Sequence, residues 1–429
     1  MTNKRRSLPV RSLLSAVVGA SLVAGCGVLP GSSEGSQETL TVMTWAPEDS
    51  KATNMPGMPG MARAYERWIN DKGGINGRRL RVITCNEHNT ASGAADCARK
   101  AVTEKAVAVV GSYSQHGRAF MTPLETAGIP YIGGYGVSQE EFQSILSYPV
   151  NGGQPALLAG AGHQLAQSDC RKVALIRPDT LAGDSLPILL NAGLKAQKPN
   201  EAADIRAAED SADYAAQARE ALAHAAGGKD GKDKGCVTAA LGERTETFFD
   251  SFRRLDEKTD KKRRPQISSV QGSISQGLVD RTGGTESLFE GAYVTSWYPV
   301  ATDPLWAPMR KVIAEYAFGD DSVDPADVGT QTTWIAYTVF TEAVRRVGTE
   351  KVTARRIAKV LDTSEGLATG GLTPDLRWRF QDMRAVRGYP RLINGRVTFQ
   401  VVQAGRLVAQ PGQQALDMTE TMEQAPTTG

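Results

Sequence analysis

One pattern narrows the folds open to this chain more than any other: short apolar strands alternate with amphipathic helices, and they do so twice. The first run begins with LTVMTW (40–45), a helix over 58–69 and RLRVITC (79–85). A helix over 94–103 leads to AVAVVGS (106–112), and a helix over 118–126 leads to IPYIGGYG (129–136). Within the first helix Met58, Met61, Ala62, Tyr65, Trp68 and Ile69 form one apolar face at helical spacing. After Tyr148 the pattern restarts with a helix over 155–166, KVALIRP (172–178), a helix over 184–196 and a polar helix over 214–225. CVTAALG (236–242), the TETFFDSFRRL helix (245–255), PQISSVQG (265–272) and EGAYVTSWYP (290–299) complete it. Such alternation makes a parallel sheet with helices on both faces. Two units in tandem predict an α/β protein with two Rossmann-like lobes. Helices over 305–316, 332–347 and 354–361 follow, and GRVTFQVVQAGRLV (395–408) is expected to close the fold as a β section. The residues 411–429 are expected to lack fixed structure.

At 429 residues the chain has room for two domains with cores of their own. A formal charge of +2 is nearly neutral and gives nucleic acid no electrostatic footprint. The charge-rich stretches 229–234 and 253–264 mix signs and read as solvated surface. The amino-terminal residues differ in character. MTNKRRSLPVR is basic, and 13–23 is apolar but too short to span a bilayer. The stretch closes on LVAGC (22–26), an aliphatic residue, small residues and then Cys, which is the pattern of a bacterial lipoprotein signal. Residues 1–25 are therefore expected to be removed, Cys26 to be acylated, and 26–38 to serve as a flexible Gly/Ser tether. The rival reading is an ordinary signal peptide that happens to contain a Cys. No other segment reads as transmembrane.

Once Cys26 carries lipid, four cysteines remain. Outside the cytosol an even set suggests two disulfides, for which three pairings exist. Cys85–Cys97 would join a strand end to the next helix across a short loop. Cys170 and Cys236 each precede an apolar strand, and parallel neighbours would bring those starts together. A zinc site is the rival, but the spacing fits no zinc pattern.

The helix over 58–69 stops abruptly. Gly73 or Gly74 can take the positive φ that ends it, Ile75 can cover the last turn, and Asn76-Gly77 is a turn dipeptide. INDKGGINGRRLRV (69–82), followed one helix later by AVAVVGSYSQ and then AGIPYIGGYG, resembles the branched-chain amino-acid (Leu/Ile/Val) binding proteins. These are the solute receptors of ABC importers, with the type 1 periplasmic-binding-protein fold. WIAYTVFTEAVRRVG (334–348) and the closing GGLTPDLRW…RLINGRVTFQVVQAGRLV are similar to its later sections, so the resemblance runs from 40 to about 408. It implies that the glycine corner is structural. It also implies two lobes with a ligand cleft between them, joined by crossings near 148–152, 299 and 370. Lobe 1 is then 39–149 plus 300–368, and lobe 2 is 150–299 plus 369–410.

The resemblance also points to site residues. GSYSQHG (111–117) ends a buried strand and starts a helix, so its N–H groups form a natural carboxylate seat. In the family a serine about four positions after the loop glycine helps hold a ligand carboxylate. That position falls on Gln115, with Ser114 one step before, while Ser112 and Ser114 could instead cap the helix. In GGYGVSQEEF (133–142) the family's small and hydroxyl residues align on Gly136 or Val137 and on Ser138, with Tyr135 flanking the pocket or packing under it. On the second lobe Ala182 stands where an aromatic residue is frequent. Glu243 could take an ammonium and Arg244 a carboxylate. Gln271 occupies a place where an acid often pairs the ammonium. Trp45 could supply an apolar wall or lie in the core.

Catalysis has little support. GDSL (183–186) matches an esterase nucleophile block, but it lies mid-chain and no histidine follows His224 to act as base. Ser114 lacks the flanking glycines of a nucleophile elbow. His88, His116, His163 and His224 make no metal-ligand pair at helical spacing, and GGINGRR lacks the Walker lysine. The implied protein is a monomeric, lipid-anchored, extracytoplasmic solute receptor for an ABC permease, with no cofactor or metal. Its cargo would be an amino acid, an amide or a small organic acid, in falling order. A ligand-sensing lipoprotein of the same fold, signalling to a membrane partner, is the alternative, and a structural lipoprotein is a third class.

Overall fold

The computed structural model describes residues 39–51, 53–181, 183–195, 201–226, 234–256 and 264–425. The expected signal, Cys26, the tether and Ala182 lie outside them. β1 (Thr39–Ala46) is buried on both faces from Val42 onward, as a central parallel strand must be. Its alternate side chains feed two cores: Val42 and Ala46 enter one, Met43 and Trp45 the other. α1 (Gly57–Asp71) lays Met58, Met61, Ala62, Tyr65 and Ile69 on the first of these. The glycine corner then turns the chain. Gly74, at φ +78°, donates its N–H to the Ile69 carbonyl at 2.8 Å, and a Cβ there would lie 2.1 Å from the Arg78 carbonyl oxygen. Ile75 is fully buried beneath it.

β2 (Arg79–Asn86), α2 (Ala91–Thr103), β3 (Ala108–Val110), α3 (Gly117–Ala127), β4 (Tyr131–Ile132) and β5 (Ser147–Tyr148) complete the first unit. Its sheet has the order β2-β1-β3-β4-β5, with every pairing parallel. The second unit runs through α4 (Gly153–Gln167), β6 (Cys170–Pro178), α5 (Leu186–Leu194), β7 (Ala203–Ala207) and α6 (Ala215–Ala225). β8 (Lys234–Ala239), α7 (Arg244–Asp256), β9 (Gln266–Val270), α8 (Gln276–Arg281) and β10 (Tyr293–Ser296) follow. α9 (Ala307–Tyr316) and α10 (Val328–Val347) return to pack on α1, and α11 (Ala354–Thr363) packs on α10. β11 (Arg396–Gln403) and β12 (Arg406–Ala409) then join the second sheet antiparallel, giving the order β12-β11-β10-β9-β8-β6-β7. The fold is thus two doubly wound α/β lobes. Cys85 pairs with Cys97, and Cys170 with Cys236, the two pairings expected.

Three features differ from the sequence reading. β7 carries one β-branched residue and two charges in ADIRA, because as an edge strand it buries only Ile205 and Ala207. The tail does not stop at Gln410: β13 (Leu416–Asp417) pairs with β11, and α12 (Thr419–Glu423) packs on α4 and α5. Met418 and Met422, one helical turn apart, fix it by burial. The third crossing lies beyond Gly370. Trp378 Nε1 donates to the Pro149 carbonyl at 3.0 Å and the Arg391 N–H to Phe142, so this segment stays with the first sheet. The chain crosses at Asn394, whose amide donates to the Val150 carbonyl.

Candidate functional site

In both sheets the strand order reverses direction beside the first strand, between β1 and β3 and between β6 and β8. Such a switch point leaves a crevice at the carboxyl ends of the strands. Here the two crevices face each other. The loops after β1, β3 and β4 meet those after β6, β7, β8 and β9 around a cavity of ≈ 60 Å³. Tyr113 and Tyr135, in edge contact with ring centroids 5.1 Å apart, form its first-lobe wall with Met55 and Val137. Leu157, Leu158, Leu186 and Val270 oppose them, and Thr53, Gln115, Thr180, Gln271 and Ser273 supply neutral polar groups. Among the lining residues Glu209 alone carries an ionisable acid, and none is Lys, Arg or His. Burial pushes the Glu209 carboxyl up from its ordinary range, and a hydrogen bond from the Gln115 side chain pulls against that.

The cavity is not isolated. A groove of ≈ 460 Å³ shares Val137, Gln154 and Leu186 with it on one side. A second, of ≈ 820 Å³, shares Met55, Gln271 and Gly272 on the other. Polar contacts tie the lobes together around this passage. The Asn54 amide donates to Glu243 Oε2 at 3.2 Å, Arg244 donates to the Lys51 carbonyl, and Gln271 Nε2 donates to Gln331 Oε1 at 3.0 Å.

The sequence-nominated residues divide. Gln115, Tyr135, Val137 and Gln271 line the cavity. Gly136 and Ser138 line the smaller groove, while Glu243 and Arg244 sit on the rim. Ser112 and Ser114 face inward instead. Ser112 Oγ accepts the Trp45 N–H at 3.0 Å, and Ser114 Oγ donates to Glu87 and accepts the His116 N–H. Trp45 is a core residue, fully buried against Phe120 and Tyr131. Its position at the end of a strand buried on both faces decides this. Ser185 of the GDSL block meets the Tyr389 hydroxyl at 3.3 Å, and its neighbour Asp184 pairs with Arg177.

Glu141 was not nominated, and it changes what the 133–138 loop can do. Its Oε1 accepts the N–H groups of Val137 and Ser138 and the Ser138 hydroxyl, and its Oε2 accepts the Gly136 N–H, all within 3.1 Å. The N–H groups expected to grip a ligand carboxylate are thus occupied by the chain's own. The signal was present in the sequence: Ser138-x-x-Glu141 is a capping box, and both of its reciprocal bonds form. Glu209 had no such signal, because it follows the weakly patterned β7. Thr53, hydrogen-bonded to Tyr113, had none either. Among the described residues no cluster of His, Cys, Asp or Glu could hold a metal ion.

Residues 50–390 match the family described as periplasmic binding protein. Among curated proteins none matches the chain. Solved structures agree on the fold. A leucine-binding protein from Thermotoga maritima superposes with a TM-score of 0.65 at 15% identity, covering 89% of this chain and 99% of that one. An ABC-transporter solute-binding protein from Rhodopseudomonas palustris, in complex with 3,4-dihydroxybenzoic acid, gives 0.68 at 13% identity over 89% and 98%. A fatty-acid ABC-transporter substrate-binding protein from Thermomonospora curvata gives 0.67 at 15% identity over 91% and 95%.

Proposed function

This chain belongs to the periplasmic binding protein family, and we propose that it is the lipid-anchored solute receptor of an ABC importer. It closes two lobes on a small solute and presents the closed form to a membrane permease. The observation that carries the reading is the cavity between the carboxyl ends of two parallel sheets, with apolar walls and neutral hydrogen-bonding side chains from both lobes. Such a cleft suits hinge closure, because a cargo that touches both lobes stabilises the closed form.

The solved relatives that carry dihydroxybenzoic acid or are named for fatty acids and leucine show how widely cargo varies on one fold. For this chain an amphipathic solute without a carboxylate fits better than a free amino acid. The carboxylate-gripping groups are occupied by Glu141. Anchoring through Cys26 rests on LVAGC. It predicts lipid incorporation that Cys26→Ala abolishes.

The test is a thermal-shift screen of the disulfide-intact, unlipidated protein against amino acids, amides, amines and small acids. A cargo at about a hundred times its Kd stabilises the fold by roughly 2.7 kcal/mol. Gln115→Ala should weaken that cargo. Silence across the whole panel would overturn the receptor reading.

A further inference from the structure

We infer that the cleft selects a small organic cation, an amine or amidine on an apolar body, and seats its nitrogen between Glu209 and Gln115. The inference rests on the receptor reading and sharpens it. A buried anion is best held by a cation or an array of free N–H groups, and among the described residues no Lys, Arg or His lines this cavity. The three successive N–H groups of 136–138 point at Glu141, whose carboxylate takes all of them. The amino end of α3, the other natural anion seat in this lobe, is covered too. A Cβ on Gly117 would lie 2.4 Å from a Glu140 carboxylate oxygen and from the Ser138 hydroxyl.

Two arginines of the second-lobe loops are committed elsewhere. Arg177, under the second-lobe loops, is 1% exposed and holds both Asp204 and Asp184 at 2.8 Å. Arg244 reaches across to the Lys51 carbonyl on the rim. What remains in the cavity is one carboxyl, Glu209, brought by lobe 2 against the Gln115 amide of lobe 1. Tyr113 and Tyr135 line the same cavity. A carboxylate with adjoining aromatic rings is the surrounding that favours a partly desolvated cation. A carboxylate cargo would meet the like charge of Glu209 with no counter-ion among the cavity's described residues.

Matched probes test this on the disulfide-intact protein by calorimetric titration: isobutylamine against isobutyrate, and benzylamine and benzamidine against benzoate. We expect saturable binding of at least one cation, with its carboxylate isostere at least tenfold weaker. Glu209→Gln should weaken the cation at least tenfold, and Glu209→Asp by less, with melting temperatures reporting that both variants fold. Tighter binding of benzoate or isobutyrate than of the matched cation would overturn the head-group assignment and leave the receptor reading standing. Cation binding unchanged in Glu209→Gln would also overturn it. Silence in both series would overturn the head-group assignment, and the wider thermal-shift panel would then decide the receptor reading separately.

Discussion

Stability should fall as the pH rises from about 5 to about 8, and Glu87 should carry much of that fall. Its side chain is fully buried at the end of β2. One oxygen accepts the Ser114 hydroxyl at 3.1 Å, while Oε1 has no hydrogen-bond partner among the described residues. Burial pushes this carboxyl from 4.5 up to about 7, against the pull of Ser114 and of the Asn89 N–H. Burial does the same to Glu141, again to about 7, its four hydrogen bonds pulling the other way. In each case the folded state holds the proton more tightly than the unfolded chain. The associated stability is present in full below about 4.5 and is lost as pH rises through about 7. At about 1.4 kcal/mol per pH unit, each group is worth about 3 kcal/mol. The described residues lie between 39 and 425, so the unfolding entropy is roughly 0.8 kcal/mol/K, and each group moves Tm by about 4 °C. His163, half-buried and lowered by burial, opposes part of this by gaining stability as pH rises toward 6.5. Asp250 and Asp320, held low by Arg254 and by Ser322 with Arg63 against burial, act only below about 4. Thermal unfolding followed by circular dichroism at pH 5 and pH 8 decides the matter. Wild type should lose several degrees between them, and Glu87→Gln should lose about half as much and melt higher than wild type at pH 8. A flat or rising wild-type profile, or an unchanged slope in Glu87→Gln, would refute the reasoning.

Two further outcomes follow from the covalent and polar ties. Replacing Cys170 and Cys236 by Ala opens a closure with a sequence separation of 66 and should cost about 4 kcal/mol, against about 3 for Cys85 and Cys97 with a separation of 12; urea titration of the two double variants checks the order. Arg244→Ala removes the hydrogen bond from lobe 2 to the Lys51 carbonyl. It should favour the open form by about 1 kcal/mol, seen as a larger radius of gyration in X-ray scattering without cargo. An unchanged radius would show that this contact does not hold the lobes.

Much of the fold was legible because its strands are buried on both faces and its helices on one. Met58 through Ile69 and the AVAVV run state their burial in their composition. The glycine corner was readable because so few residues tolerate it. β7 was not, since an edge strand needs only Ile205 and Ala207 inside. In the site, Gln115, Tyr135, Val137 and Gln271 reached the cavity because they lie on the loops that follow strand ends. Ser112 and Trp45 also lie at strand ends, but their pleat directs them into the core. A shift of one residue reverses that direction, and sequence alone does not fix it. Glu141 shows a different limit. Its motif was visible, but that it would satisfy the loop nominated for cargo depends on how 133–142 folds back.

The passage through the cleft, with a groove sharing its walls on either side, has a consequence for the shape of what is carried. A sealed box measures a molecule in every dimension and rejects whatever is one atom too long. A clamp with open flanks gauges thickness alone, at the pinch where Val137 and Leu186 stand on one side and Met55 and Gln271 on the other. Lengthening an unbranched tail would then leave recognition intact, while a branch at the pinch would prop the lobes apart. Such a protein sorts by girth.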